Sequence, residues 1–248
     1  MSTLILALTA GAVIGLALGA LGGGGSVLAV PALIYLLGFT PVAATTASLV
    51  IVAVTSATAM SAHARDGNVR WRTGLLFAAA GIGPAMLGGA LAGRIPAAAL
   101  TAAFAVVAGA AALRMLRTRQ HADTIVPVRP GRAAAAGAGL GAVTGVLGVG
   151  GGFLAVPALV SVLGMRMRNA VGTSLLVITV NSLAALAARA GTVDGLDWSV
   201  VGPFAGAAIL GAWDGKRLAT KVSGGTLQRI FALVLLAVAA FMLIDAAA

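Results

Sequence analysis

Two stretches of the chain, Gly22–Leu33 (GGGGSVLAVPAL) and Gly148–Leu159 (GVGGGFLAVPAL), are nearly identical and lie 126 residues apart. Each places a run of glycines inside a long apolar segment, and a proline follows within the same stretch. Relative to alanine, a glycine destabilises a helix interior by about 1 kcal/mol and a proline by about 3 kcal/mol. The two stretches are therefore predicted to interrupt helices, and their repetition predicts a duplicated fold.

The duplication extends beyond these stretches, to residue types that chance similarity between apolar helices does not explain. At the offset of 126, the aligned pairs are Gly11 and Gly137, Gly15 and Gly141, Gly19 and Gly145, Gly38 and Gly164, Ser48 and Ser174, and Ser56 and Ser182. At an offset of 127, Trp71 aligns with Trp198. The chain is thus predicted to consist of two homologous halves.

The composition excludes a soluble protein. Of the 248 residues, 60% are hydrophobic and 9% are charged, and the mean hydropathy is +1.08. A soluble domain has about 25% charged residues. The fold class predicted is therefore all-α, a polytopic membrane protein. Because the chain has no Cys, disulfides and thiolate chemistry are excluded as well.

A helix that spans the bilayer needs about 20 apolar residues. On this basis residues 1–117 are predicted to form repeat one, 118–132 a cytoplasmic linker and 133–248 repeat two. Each repeat is predicted to begin with a broken segment, 4–37 or 133–164, that forms a re-entrant helical hairpin. Three transmembrane helices follow in each repeat, at 41–63, 73–93 and 96–116, and at 169–189, 198–215 and 224–245.

The distribution of basic residues favours the hairpins. Lys and Arg accumulate on the cytoplasmic side of membrane proteins. If both broken segments crossed the membrane once, the 16 Lys and Arg residues would divide nine to seven between the two sides. If both are hairpins, only Arg94 and Arg189 lie outside, which leaves 14 inside. Each repeat then crosses three times, so the two repeats are predicted to be inverted, with both chain ends outside. A kinked helix that spans the membrane is the alternative.

The paired breaks predict a binding site for an anion. The N-terminus of each short helical arm would point its unpaired N–H groups and positive dipole end at a shared cavity, and Ser26 is expected to cap the first arm. The candidate binding residues are Gly23, Gly24, Gly25, Ser26, Thr46, Ser48, Gly150, Gly151, Gly152, Thr173, Ser174 and Asn181. The alternative is that these glycines and hydroxyls serve helix packing, which is the favoured interpretation of Gly11, Gly15 and Gly19.

Sequence motifs of soluble enzymes are absent. Neither glycine run continues into the GK[ST] of a phosphate-binding loop, and no cluster of residues has the spacing of metal ligands. No catalytic residue, metal or cofactor is predicted, and the protein is not expected to be an enzyme. His63 ends a predicted span and is expected to lie in a loop or at the membrane interface.

The repeated glycine motif, the elements TxxSL (Thr45–Leu49) and GTSL (Gly172–Leu175), and LAGRIP (Leu91–Pro96) resemble the sulfite exporter TauE/SafE family over essentially the whole chain. The resemblance implies a multi-pass carrier in the plasma membrane for small sulfur-containing anions, such as sulfite, sulfoacetate or a related organosulfonate.

The expected function is that of a secondary transporter, in the export direction, that works by alternating access. Its expected partners are that anion and the lipid bilayer, with no nucleic acid and with a homo-oligomer as a possibility. Two alternatives are open: an anion channel of the same fold, and a non-catalytic membrane assembly subunit.

Overall fold

The computed structural model describes residues 2–92, 97–117, 129–147, 152–187 and 196–247, and within these ranges it contains helices and no strand. The prediction of an all-α fold is confirmed. The helices are α1 (Ser2–Leu21), α2 (Gly24–Pro31), α3 (Pro41–Arg65), α4 (Trp71–Ala92), α5 (Ala97–Arg117), α6 (Pro130–Leu147), α7 (Gly152–Ser161), α8 (Met167–Ala187), α9 (Trp198–Lys221) and α10 (Gly224–Ala247).

Helix lengths fit a bilayer. Four segments are long and apolar enough to cross a membrane: Thr3–Leu21, Val42–Arg65, Met167–Ala187 and Gly224–Leu243. Helices α4, α5 and α9 have 22, 21 and 24 residues, and at 1.5 Å per residue they also match a hydrocarbon core of about 30 Å. With 8 and 10 residues, α2 and α7 are too short to cross. Large apolar side chains such as Met86, Leu87 and Phe241 are exposed on the surface, as expected for contact with lipid.

The predicted interruption of the first long segment is confirmed, although its details differ from expectation. Helix α1 ends at Leu21, Gly22 takes a left-handed φ of 78°, and α2 begins at Gly24. Gly23 occupies the N-cap position of α2 without a side-chain cap. The expectation that Ser26 caps this arm is wrong, because Ser26 lies inside α2. In the second repeat, residues 148–151 lie outside the described ranges.

The prolines of the two short arms lie away from the helix starts. Pro31 is the last residue of α2, and a π-helical turn, Ala32–Leu36, continues from it. A proline has no N–H to donate into the α-helical hydrogen-bond ladder, which explains why the regular helix stops there. Pro157 lies in the middle of α7.

The predicted span 198–215 is too short. Helix α9 continues to Lys221, so that Lys216, Arg217 and Lys221 form part of its C-terminal turns. Cations are stabilised at this end of a helix by the partial negative charge of its last carbonyl groups. The charge that marks the membrane boundary in the sequence therefore does not end the helix.

Helix α1 packs against α9 by way of glycines. A Cβ atom built on Gly11, Gly15 or Gly19 would overlap the backbone carbonyl oxygen of Phe204, Ala208 or Ala212, respectively. Because residue numbers rise together on the two helices, they run parallel. The packing role favoured for these three glycines is confirmed.

The same kind of glycine contact joins α6 to α4. A Cβ on Gly137 or Gly141 of α6 would overlap the backbone carbonyl of Phe77 or Gly81 of α4. Helices α4 and α6 are therefore also parallel. Each of the two pairs joins the first helix of one repeat to the fourth helix of the other.

Central helices α3 and α8 run in opposite directions. Their hydroxyls meet at Ser56 Oγ and Thr179 Oγ1, 2.9 Å apart, while the N–H of Arg70, just beyond α3, donates to Thr173 Oγ1 at 3.1 Å. Likewise, Gln228 near the start of α10 donates to the Met115 carbonyl near the end of α5. Two pairs of helices that correspond under the duplication, α3 with α8 and α5 with α10, are thus antiparallel.

These directions gather the basic residues at one end of the bundle. All the described Lys and Arg side chains lie there: Arg65, Arg70, Arg72, Arg114, Arg117, Arg129, Arg132, Arg166, Arg168, Lys216, Arg217, Lys221 and Arg229. The first residues of α1 and the last residues of α10 lie at the other end. Arg94, Arg119 and Arg189 are outside the described ranges. The end that carries these residues is called the basic end below.

We predict that Gly211→Ala in α9 lowers the free energy of unfolding by about 1–3 kcal/mol, because the new methyl group would overlap the Ala12 carbonyl and force α1 away. Gly206→Ala, in the same helix, is the matched control because a Cβ there has no neighbour within 4 Å. Unfolding in detergent by SDS titration measures both. Equal stability of the two variants would contradict the packing of α1 on α9.

Candidate site at the glycine break

The break of the first repeat lies against the second repeat. A Cβ on Gly22 would overlap Ser174 Oγ in α8, and one on Gly23 would lie 2.5 Å from the Gly152 carbonyl oxygen and 2.6 Å from Phe153 Cα. Both residues are buried. The turn between α1 and α2 therefore contacts the first turn of α7 and the second turn of α8. Only glycine fits at this contact.

Two helix N-termini meet at this contact. The first N–H groups of a helix have no partner within it and carry partial positive charge. Helix α2 begins at Gly24 and α7 begins at Gly152, and neither has an acidic residue in its first turn. Since an anion offers acceptors to N–H groups and is attracted by the positive ends of helix dipoles, the arrangement suits an anion without any charged side chain.

The predicted glycines are not equivalent in the structure. Gly25 is buried against α1, where a Cβ would overlap the Ile14 carbonyl and lie 2.6 Å from Leu18 Cβ, so glycine is needed here for packing of α2 on α1. Gly24 is the first residue of α2. The candidates Gly150 and Gly151 lie outside the described residues.

Among the predicted hydroxyl residues, the structure brings Ser174 to the break. Its Oγ donates to the Val171 carbonyl at 2.8 Å and keeps lone pairs that can accept. Thr173 is buried and accepts from the N–H of Arg70. Ser174 and Thr173 thus each form a hydrogen bond with a backbone group.

The hydroxyls at the start of α3 are also bonded to backbone. Thr46 donates to the Val42 carbonyl at 3.2 Å, and Ser48 donates to the Thr45 carbonyl at 2.8 Å. These bonds fit the alternative in which such hydroxyls serve the helix itself. To reach an anion, either hydroxyl would have to turn away from its carbonyl.

Two buried oxygens at the crossing of α3 and α8 have no hydrogen-bond partner within the described part of the chain: Thr55 Oγ1 and Asn181 Oδ1. The contact between Ser56 and Thr179 puts both residues within one turn of the crossing. Thr55 and Asn181 also correspond under the 126-residue offset. A buried polar atom without a partner costs about 1–3 kcal/mol, so these two atoms suit a bound polar solute. Sequence reasoning selected Asn181 and passed over Thr55, although the offset pairs them.

His63 differs from its expected place in a loop or at the interface. Its side chain is 4% exposed, and its Nε2 lies 3.1 Å from the Gly19 carbonyl oxygen near the end of α1. In a continuous helix the N–H of Gly23 would bond to that carbonyl. Here the N–H of Gly23 bonds to the Leu21 carbonyl at 3.1 Å, and the imidazole takes its place. The sequence gives no sign of this contact between distant segments.

A cavity of about 350 Å³ lies between α5, α6 and α7. Its lining is mostly apolar, and it extends from Leu154, next to the first turn of α7, to Arg114 and Ser161 near the basic end. The buried Ser161 Oγ has no hydrogen-bond partner. The cavity therefore follows α7 from the neighbourhood of the break toward the basic end.

Comparisons with known proteins agree with the sequence motifs. The family model described as sulfite exporter TauE/SafE matches residues 7–242. Two relatives from Xylella fastidiosa, strains Temecula1 and 9a5c, each carry the name "Probable membrane transporter protein". They are 35% and 36% identical to this chain over 250 residues, which cover 97% of this chain and 95% of the relative in each case. No solved structure matches the chain.

We predict that Thr55→Val leaves the free energy of unfolding unchanged or raises it, because valine has nearly the same shape and removes a buried oxygen that has no partner. The neighbouring Ser56→Ala is the matched control. It removes the hydrogen bond to Thr179 and should lower the free energy of unfolding by about 1 kcal/mol. If Thr55→Val lowered the free energy of unfolding as much as Ser56→Ala in the same detergent titration, Thr55 Oγ1 would have a hydrogen-bond partner.

Proposed function

Because the chain belongs to the sulfite exporter TauE/SafE family, we propose that this membrane transporter moves small sulfur-containing anions, such as sulfite, sulfoacetate or a related organosulfonate, out of the cell. The observation that carries the proposal is the contact of Gly22 and Gly23 with the start of α7. It brings the N-termini of α2 and α7 together in a buried place, and α2 has no side-chain cap. The membrane in question is the plasma membrane, which the chain crosses several times.

Backbone N–H groups suit such a site for an energetic reason. A charged side chain in the bilayer interior is costly, and it would have to be neutralised whenever the site is empty. Helices α1, α2 and α7 carry no Asp, Glu, Lys or Arg. Partial charges at helix ends attract an anion at a smaller cost in desolvation, because they are fixed by the backbone.

The proposed mechanism is alternating access between inverted repeats. Its support is the set of antiparallel corresponding helices, together with the two glycine-packed pairs, α1 with α9 and α4 with α6. Each pair would move as a rigid unit, since backbones in contact leave no space for sliding of side chains. The break and the crossing of α3 and α8 lie between the units, where secondary transporters hold their substrates.

The cavity along α7 supplies an approach to the break from the basic end. By the positive-inside rule the basic end faces the cytoplasm. The positive potential at that end would raise the local concentration of a cytoplasmic anion, and Arg114 is among the residues that line the cavity. Entry from the cytoplasm agrees with export.

The transport test uses purified protein in liposomes loaded with unlabelled sulfite or sulfoacetate and exposed to labelled anion. Saturable uptake that is accelerated by the internal anion is expected. An ohmic current instead would indicate a channel, and flux no greater than that of empty liposomes for any small sulfur oxyanion would refute the proposed transport.

We predict that Gly23→Val reduces this uptake at least about tenfold, because the side chain would fill the contact with Gly152 and Phe153. Gly83→Val is the matched control, since a Cβ at Gly83 has no neighbour within 4 Å. Both variants are compared at equal amounts of folded, inserted protein. Unchanged uptake by Gly23→Val would remove the break from the proposed site.

We predict opposite sidedness for Thr40 and Arg166, which correspond under the 126-residue offset and are both exposed. Since the chain has no native Cys, Thr40→Cys and Arg166→Cys each introduce a single thiol. In intact cells an impermeant maleimide should label position 40, and it should label position 166 only after permeabilisation. Labelling of both from the same side would contradict two hairpins in inverted repeats.

A further inference from the structure

His63 presents a buried nitrogen that is free to take up a proton. A carbonyl oxygen can only accept, so the contact of Nε2 with the Gly19 carbonyl at 3.1 Å places the imidazole hydrogen on Nε2. The other nitrogen, Nδ1, then carries a lone pair. It is buried and has no hydrogen-bond partner among the residues that the structure describes.

Two charged side chains lie near His63, and they pair with each other. Helix α9 faces it with Lys216, and the turn after α3 faces it with Asp66. Lys216 Nζ lies 2.8 Å from Asp66 Oδ2 and donates to the Ala62 carbonyl at 2.7 Å. Helix α1 contributes no ionisable side chain. A proton added at Nδ1 would therefore give this cluster a net positive charge.

The cluster is joined to the break by α1. Gly19 lies within one helical turn of Gly22 and Gly23, a distance of about 5 Å along the axis. Its carbonyl is available to His63 because the left-handed turn at Gly22 directs the N–H of Gly23 to Leu21. His63 thus holds the last turn of α1 in place and would put its positive charge close to the proposed anion.

We propose that His63 Nδ1 is a proton-binding site whose occupancy is coupled to anion binding at the glycine break, so that a proton travels with the anion. The inference rests on the proposed function of the break. The proton comes from water on the side to which the site is open and returns to water on the other side, and no other bond is made or broken. The coupling is reciprocal: a bound anion favours the proton as much as the proton favours the anion.

Attraction between the imidazolium ion and an anion in a medium of low dielectric constant predicts an anion affinity about tenfold higher when His63 is protonated. The gain is present at acidic pH and is lost as pH rises through the titration of His63. Sulfoacetate is the suitable probe, because its sulfonate and carboxylate groups stay ionised while the pH is lowered from about 8 to about 6. Sulfite changes its own charge in this range.

The decisive variant is His63→Gln. The glutamine amide can reach and donate to the Gly19 carbonyl as Nε2 does, but it cannot be protonated. His121→Gln is the matched control, because His121 is the other histidine of the chain and belongs to the predicted linker. Each protein is reconstituted with an internal pH indicator, and uptake of labelled sulfoacetate, proton movement and exchange of internal for external sulfoacetate are measured.

In the wild type and in His121→Gln, protons should move with sulfoacetate, and half-saturation should require less sulfoacetate as the pH falls, by up to about tenfold. In His63→Gln, exchange should continue while the pH dependence and the proton movement are lost. Wild-type sulfoacetate uptake without proton movement would overturn the inference, even if His63→Gln did not fold. Proton movement retained by a folded His63→Gln would also overturn it. Absence of any anion flux in the wild type would instead refute the proposed function.

Discussion

The fold depends on the absence of side chains where the two repeats touch. At Gly22 and Gly23 the turn between α1 and α2 lies directly on α7 and α8, and a single methyl group would collide with a hydroxyl or with backbone. The same close approach continues along α1, where glycines contact the backbone of α9. In a bilayer, lipid tails are as apolar as leucine side chains, so close van der Waals packing of this kind drives helix association.

Close packing also explains why the breaks can exist at membrane depth. Backbone that leaves the helical hydrogen-bond pattern is tolerated in a membrane where protein covers it. Here the break is covered by α7 and α8, and the freed carbonyl of Gly19 is satisfied by His63 from α3. The start of α2 lies at this covered break and has no side-chain cap. The interrupted helix thus needs neighbouring protein to cover its backbone, and it also forms a site that suits an anion.

Some polar groups at the centre of the bundle form hydrogen bonds that stabilise the fold, whereas others have no partner. Ser56 and Thr179 satisfy each other, whereas Thr55 and Asn181, one turn or less away, each hold a buried oxygen without a partner. An apolar residue would be more stable at either position. Buried polar atoms kept at such a cost suit a membrane protein that transports polar solutes.

Much of this architecture follows from the sequence because it is local or repeated. Hydropathy determined the spanning helices, glycine runs determined where the first long helix is interrupted, and the 126-residue offset revealed the duplication. Local signals failed at helix ends: Ser26 does not cap α2, and α9 continues past its first charged residues to Lys221. The caps and the helix ends depend on neighbouring helices that the local sequence does not contain.

Only the tertiary structure decided which distant groups meet. It joined His63 to Gly19 across 44 residues and brought Ser174 to Gly22, while it left Thr46 and Ser48 bonded to their own helix. The chemistry of each side chain can be read from the sequence, but its partner depends on how parallel and antiparallel helices align across the two repeats. That alignment is set by backbone contact at glycines. Because a glycine has no side chain, the sequence does not show which residue it will contact.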